Sequence, residues 1–295
     1  MTTRLRAELV LLGGTVAWGS SFLVVKETLA TVPPFTLIAL RFALAAVALV
    51  LFFGGGAFAL DGAGSAWTRW RTAGWIGALL GAGFAFQTTG LQYTTPARSG
   101  FITATYVAMV PPLARLYSKR TLRKRAIVAV LAAVAGLYLL TDPRGAGVNV
   151  GDALTLLSAL AFAAHMVALD RRGRELPPAA LSFAQLAVVA ALALPLALAV
   201  ESAPIQLSCG SLASLAYLGL ICSAAAFLGQ TWGQRHTSPT RAGLIFSLES
   251  LVAALLSVAL GAETLSALQW LGGLMLLGGV MLGELPDGPA PANAG

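Results

Sequence analysis

Phe84 to Ile102 reads FAFQTTGLQYTTPARSGFI, and Phe227 to Ile245 reads FLGQTWGQRHTSPTRAGLI. Set one over the other, they agree at nine of nineteen positions with a constant offset of 143. Gln87 falls on Gln230, Gly90 on Gly233, Pro96 on Pro239, Arg98 on Arg241 and Gly100 on Gly243. Gly136 meets Gly279 at the same offset, and a shift of one residue puts Trp18 over Phe162 and Arg41 over Gln185. Solenoid repeats recur every ~20–50 residues, so a period of half the chain points to a duplication of the whole fold instead.

The duplicated unit belongs in lipid. Of 295 residues, 57% are hydrophobic and 11% charged, with a mean hydropathy of +0.81, too few polar side chains to cover a soluble surface. Charges and Pro/Gly clusters cut the chain into ten apolar segments, near residues 8–26, 35–53, 72–91, 98–117, 124–141, 150–169, 179–200, 210–232, 241–260 and 266–284. Each is close to the ~17–25 residues that cross a ~30 Å hydrocarbon core as a helix. The expected fold is therefore an all-α integral membrane protein of ten transmembrane helices.

With the N-terminus inside, the cytoplasmic loops hold Arg69, Arg71, Arg115, Lys119, Arg120, Arg123, Lys124, Arg125, Arg171, Arg172, Arg174 and Arg235, and the other side only Lys26, Arg98 and Arg144. The positive-inside rule then places both termini in the cytoplasm of a multi-pass cell-membrane protein. Five spans per half is an odd number, so the second half enters from the opposite side. The expected organisation is two inverted five-helix repeats, 1–147 and 148–284, forming one unit, followed by a disordered tail at 285–295, LPDGPAPANAG, which has no apolar stripe.

The net charge of +7 and pI near 10 come from short clusters between spans rather than from one basic face. KRTLRKR and DRRGRE read as solvated loops facing anionic lipid, and no nucleic-acid partner is expected. Arg4 and Arg6 precede an apolar run that lacks a small-x-small cleavage site and reads as a retained first helix. Cys209 and Cys222, thirteen residues apart, would lie ~20 Å from each other on one helix, too far for a disulfide.

An enzyme is not expected. The two histidines stand 71 positions apart, no acidic pair has metal-ligand spacing within a span, and no GxxxxGK[ST] loop occurs, so neither a metal nor another cofactor is expected. Inverted repeats are a recurring design of secondary transporters, because exchanging the conformations of the halves turns an inward-open shape outward. A channel or a non-transporting membrane scaffold is the alternative, although few and scattered intramembrane polar groups fit an occludable site better than a continuous pore.

AWGSSFLVVK from Ala17, QTTGLQYTTPARSGFITATYVAMVPPL from Gln87, ALDRR from Ala168, QTWGQRHTSPTRAGLIFSLES from Gln230 and GAETL from Gly261 resemble the EamA-type transporters of the drug/metabolite transporter superfamily. The resemblance covers both halves. It implies a ten-helix carrier with a central cavity and alternating access, commonly an exporter of amino acids, other metabolites or drugs. Two departures stand out. Ser250 follows Glu249 where such proteins usually have proline, which is expected to remove a helix distortion, and the glycine-glutamate pair near the end of that helix carries an insertion as Gly261, Ala262, Glu263.

An intramembrane charge costs on the order of 3 kcal/mol on insertion scales, so each one calls for a partner or a cavity. Glu249 is the first candidate, as a proton carrier, as counter-charge to a substrate amine, or as a structural partner of Arg41. His165 is a proton relay or a neutral packing residue, and Arg41 a bidentate carboxylate binder or a structural ion-pair member. Gln87, Gln230 and Gln185 place amides at equivalent places in the halves, to select substrate or to tie helices together. Trp18, Tyr106 and Trp232 are candidates to line a cavity or to pack. Trp67, Trp70 and Trp75 beside Arg69 and Arg71 read as an interfacial belt. The expected activity is secondary active transport of a small metabolite, amino acid or drug-like compound, with proton coupling or exchange, by a monomer or homodimer in the lipid bilayer.

Overall fold

The computed structural model describes residues 2–61, 64–117, 124–140, 149–202, 205, 208–261 and 264–284. The basic stretch at Ser118–Arg123, Arg144, Ala262, Glu263 and the 285–295 tail lie outside the described residues. The elements are α1 (Thr3–Thr28), α2 (Pro34–Phe53), α3 (Ala66–Leu91), α4 (Pro96–Ala104), α5 (Tyr106–Tyr117), α6 (Lys124–Leu140) and α7 (Val150–Ala168). They continue as α8 (Pro178–Val200), α9 (Cys209–Ala216), α10 (Ala226–Gly233), α11 (Pro239–Ser247), α12 (Glu249–Ala259) and α13 (Ala267–Glu284), and no strand occurs among the described residues. Short π-helical turns follow α7 at Leu169–Gly173 and join α9 to α10 at Tyr217–Ala225.

Among the described residues, six stretches are long and apolar enough to cross a membrane: Thr3–Thr28, Pro34–Gly56, Val150–Gly173, Pro178–Val200, Cys209–Gly233 and Pro239–Ala259. The outer faces suit that solvent. Leu51, Phe52, Leu116 and Leu198 are 82%, 81%, 79% and 79% exposed, and Trp67, Trp70 and Trp75 are exposed as well.

The repeated residues are those that start helices and let them touch. Thr95–Pro96 and Ser238–Pro239 are N-cap and first-turn pairs: each hydroxyl accepts from the N–H three residues on, and proline fills a position that needs no N–H. Gly90 and Gly233 sit where a Cβ would stand 2.8 Å from the Gly151 carbonyl and 2.7 Å from Leu11 Cδ2, so α3 meets α7, and α10 meets α1, at backbone distance. Other large contacts join α6 to α13, α2 to α8, α3 to α8, α1 to α12 and α5 to α7.

Helix ends are closed by charge. Glu201 accepts from the N–H groups of Phe35 (2.6 Å) and Thr36 (2.9 Å) at the start of α2, where a carboxylate suits the helix dipole. Lys26 Nζ donates to the carbonyls of Leu91 (2.7 Å), Gln92 (3.3 Å) and Thr94 (3.0 Å) beyond α3. Arg174 donates to the carbonyls of Gln234 (3.3 Å), Arg235 (3.0 Å) and Thr237 (2.9 Å) beyond α10, the same three positions at the offset of 143. Partial burial and the adjacent Arg174 guanidinium pull the Arg235 pKa below its ordinary value. Arg98 grips Asp152 with Nε on Oδ1 (2.8 Å) and a terminal nitrogen on Oδ2 (2.7 Å), tying α4 to α7.

Gly136 makes the tightest glycine contact between α6 and α13, since a Cβ there would lie 2.6 Å from both the Gly272 carbonyl and the Leu276 nitrogen. Both are backbone atoms and cannot swing aside. Gly136→Leu is expected to destabilise the protein by about 2–3 kcal/mol, the cost of overpacking. Thermal unfolding in detergent reads it as a lower midpoint, and an unchanged midpoint would show that this seam does not support the fold.

Candidate functional site

Two helices are interrupted at equivalent points. α4 gives way to α5 at Thr105, and α11 to α12 at Leu248, 143 residues later. At each break the chain tightens, with the Thr105 N–H on the Ile102 carbonyl (3.1 Å) and the Leu248 N–H on that of Ile245 (3.2 Å). Leu244 then lacks its usual donor, which the Ser247 hydroxyl replaces at 2.7 Å, and the Ser250 hydroxyl donates to the Ser247 carbonyl at 2.7 Å. The expectation that serine in place of proline removes the distortion is corrected here. The break persists, because the two serine hydroxyls stabilise its freed carbonyls.

The first residues after the breaks are Tyr106 and Glu249. Both are buried, and the phenol donates to Glu249 Oε1 at 3.1 Å. Among the described residues this is the carboxyl group's one hydrogen-bond partner. The pair lines a cavity of about 50 Å³ together with thirteen other residues, space for about four waters at one probe sphere each.

Fourteen of the fifteen lining residues fall into seven pairs related by the repeat. Phe84 with Phe227 and Gln87 with Gln230 keep their identity at the offset of 143. Thr103 with Phe246 and Tyr106 with Glu249 share that offset and differ in chemistry. On α1 and α7, shifted by 144, Trp18 pairs with Phe162, Ser21 with His165 and Phe22 with Met166. Leu80 alone lacks a lining counterpart. The rings form one cluster, with Trp18 5.1 Å from Phe227 and 5.0 Å from Phe246, and Phe84 5.2 Å from Phe162 and 5.8 Å from Phe227, all tilted or edge-on.

Six of the nine residues singled out from sequence line this cavity: Glu249, His165, Gln87, Gln230, Trp18 and Tyr106. Three do not. Gln185 stands behind His165, accepting on Oε1 from His165 Nε2 at 2.6 Å while its amide donates to the Leu181 carbonyl. Arg41 is 3% exposed and does not pair with Glu249; its Nε donates to Ser223 Oγ (2.7 Å), a terminal nitrogen reaches the Cys222 carbonyl (3.3 Å), and its guanidinium lies over the rings of Phe42 and Phe84. Trp232 rests on the His236 ring at 4.8 Å, outside the lining. The alternative of an ion pair between Arg41 and Glu249 thus gives way to neutral partners and aromatic faces for the cation.

The π-helical turn at Tyr217–Ala225 explains how Arg41 is held. A wider helix leaves carbonyls without their i+4 donors, and the Cys222 carbonyl accepts from both Arg41 and the Trp18 indole N–H (2.9 Å). The lining residues that sequence reading missed are mostly phenylalanines. The repeat itself carried the signal: applied to Glu249 and His165, the offsets return Tyr106 and Ser21, and the first identity in the aligned stretch is Phe84 with Phe227.

A profile of the EamA-like transporter family matches the chain twice, over residues 5–142 and again over 149–283. The chain belongs to the EamA-like transporter family. An uncharacterized transporter of Archaeoglobus fulgidus is 33% identical over 282 residues, 96% of this chain and 87% of that protein. The uncharacterized transporter YyaM of Bacillus subtilis is 22% identical over 94% of this chain and 93% of its own length. A solved crystal structure has the same fold, with a TM-score of 0.79 at 19% identity, covering 96% of this chain and 97% of that one. This EamA-family chain is accordingly a multi-pass membrane transporter, and its largely apolar cavity is lined by helices from both matched segments.

Gln185 tests how the site is supported. Gln185→Leu leaves the buried His165 N–H without an acceptor and is expected to cost about 1–3 kcal/mol. The double variant with His165→Phe should lose less than the two single losses together, read as thermal midpoints in detergent. Additive losses would show that the two side chains act independently.

Proposed function

We propose that the protein is a secondary active transporter in the cell membrane that moves a small organic solute by alternating access and exchanges it for protons at Glu249. In this reading the chain crosses ten times with both termini cytoplasmic, and residues 1–147 and 148–284 are inverted repeats around the cavity. Because exchange couples solute movement to proton entry, an inward proton gradient drives the solute outward.

The observation that carries the proposal is the pairing of the cavity wall. A site built from equivalent residues of two halves sits where an axis relating them would pass, and the same walls then face either side when the halves exchange conformations. The contacts support it, since α1 against α10 and α12 has its counterpart in α7 against α3 and α5. So do the double match of the family profile and the carbonyl clusters held by Lys26 and Arg174.

Glu249 suits the coupling role because its neighbours neither neutralise nor fix its charge. Tyr106 offers one hydrogen bond, His165 shares the cavity, and no lysine or arginine lines it. A carboxylate in that setting holds either a proton or a cation, and one excludes the other.

Purified protein in liposomes, given labelled phenethylamine and phenylalanine with and without a pH gradient, tests this directly. Saturable flux that rises with the gradient is expected, and Glu249→Gln should reduce the gradient-driven part at least tenfold. Saturable, gradient-driven flux unchanged by Glu249→Gln would remove the carboxylate from the mechanism. Non-saturating flux with high conductance in planar bilayers would replace the carrier by a channel.

A further inference from the structure

The wall of the cavity formed by Glu249, Gln230 and His165 is rich in hydrogen-bond acceptors, and that narrows the substrate class. This inference rests on the cavity being the substrate site of the proposed transporter. Three donors beside it are spent on the protein: the Tyr106 phenol on Glu249 (3.1 Å), the Ser21 hydroxyl on the Trp18 carbonyl (2.7 Å) and the Trp18 indole on the Cys222 carbonyl (2.9 Å). Gln87 gives one N–H to Thr103 Oγ1 (3.1 Å), and the Thr103 hydroxyl and the second Gln87 N–H keep donor capacity on that wall.

Facing Glu249 is a set of acceptors whose orientation the surrounding network determines. The Met166 carbonyl can only accept, so the Gln234 side chain turns its NH₂ toward it (3.4 Å) and its Oε1 toward Gln230. Gln230 therefore gives its own NH₂ to Gln234 Oε1 (2.8 Å), which leaves Gln230 Oε1 as a buried oxygen without a partner. The side chain is 4% exposed and lines the cavity. A buried acceptor of this kind is costly and rare unless something fills it. The same logic applies to His165. The Leu181 carbonyl orients Gln185 so that its Oε1 faces His165, which places the imidazole proton on Nε2 and leaves Nδ1 as a lone-pair acceptor. Glu249 adds a carboxyl group with a single bond to it.

We infer that this site binds a primary organic ammonium ion, an amine that carries no carboxylate. An –NH₃⁺ group has three donors and no acceptor, so its donors match in number and kind the acceptors of Glu249, Gln230 Oε1 and His165 Nδ1. The aromatic walls add cation–π attraction and a surface for an apolar body. A carboxylate on the ligand, by contrast, meets no cation among the lining residues. Arg41, the nearest candidate, is already engaged by Ser223, the Cys222 carbonyl and two rings. Burying that second charge unpaired penalises an amino acid against the corresponding amine. An arylalkylamine exceeds the present ~50 Å³, so the phenylalanines must part to admit it.

Three probes that differ by one feature each test the inference on the purified full chain in detergent, read by quenching of tryptophan fluorescence and by thermal shift. Phenethylamine is expected to bind saturably, phenylalanine at least tenfold more weakly because it adds the carboxylate, and N,N,N-trimethylphenethylammonium at least fivefold more weakly because it has charge but no N–H. Gln230→Leu should weaken phenethylamine about fivefold and leave the trimethyl compound unchanged, so loss of both through misfolding is recognisable. Phenylalanine binding as tightly as phenethylamine, above all if Arg41→Met abolishes it, would overturn the inference, as would equal binding of the primary and trimethyl cations or no binding of any probe. These measurements need no flux. The expected order of affinity without transport in liposomes would remove the transport reading alone, and gradient-driven flux of phenylalanine with the order reversed would remove the amine specificity alone.

Discussion

A chain immersed in hydrocarbon has no water with which to satisfy a helix end or an irregular turn, so every backbone group freed from a helix must find a partner within the protein. Much of this structure follows from how that demand is met. Lys26 closes the carbonyls after α3 and Arg174 those after α10. The two are not equivalent residues, since the offset of 144 takes Lys26 to Asp170, which pairs with Arg174 instead. The position that must be served is repeated, while the side chain that serves it is free to differ. Asp152 and Glu201 answer the same demand at helix starts, where N–H groups rather than carbonyls are left over.

The same demand accounts for the site. Breaking α4 from α5 and α11 from α12 frees carbonyls at mid-chain; at the second break the hydroxyls of Ser247 and Ser250 return to them, and at the first the Thr105 hydroxyl joins its own N–H on the Ile102 carbonyl. The break re-aims the residue that follows it, Tyr106 in one case and Glu249 in the other, toward a common space. The π-helical turn beside α10 works likewise by releasing the Cys222 carbonyl, which steadies the Trp18 ring on the cavity wall and gives Arg41 a partner away from it. Departures from regular helix are therefore concentrated where polar groups have to converge.

These causes explain what was legible beforehand. Composition and hydropathy placed the chain in lipid, and the TTP and TSP motifs, read only as matched residues, turn out to be helix starts. The candidate site was legible as far as the intramembrane polar residues went, because a buried Glu, His or Gln stands out against an apolar background. Arg41 misled for a physical reason: a cation at that depth calls for an anion on sequence grounds, whereas two aromatic faces, a serine and a carbonyl hold it without one. Phe22, Phe84, Phe162, Phe227 and Phe246 were invisible as site residues, since phenylalanine on an apolar helix looks the same whether it faces lipid, core or cavity. Only pairing across the duplication separates those that meet at the centre.

The pairs also differ in a way that bears on mechanism. Two halves that exchange conformations need equivalent walls, and Phe84 with Phe227 and Gln87 with Gln230 have stayed the same. A charge at the centre has to break that equivalence. Were Tyr106 a glutamate like its counterpart, two carboxylates would share one small cavity and only one would ionise readily. A phenol in its place donates to the remaining carboxylate across the interface between the halves, at 3.1 Å. Ser21 diverges from His165 in the same sense, its hydroxyl returned to the Trp18 carbonyl of its own helix, while Thr103 against Phe246 runs the other way and keeps a hydroxyl that accepts from Gln87 on the first half. In the proposed mechanism, a wall paired in position and unequal in charge preserves access from either face while binding a single cation or a single proton.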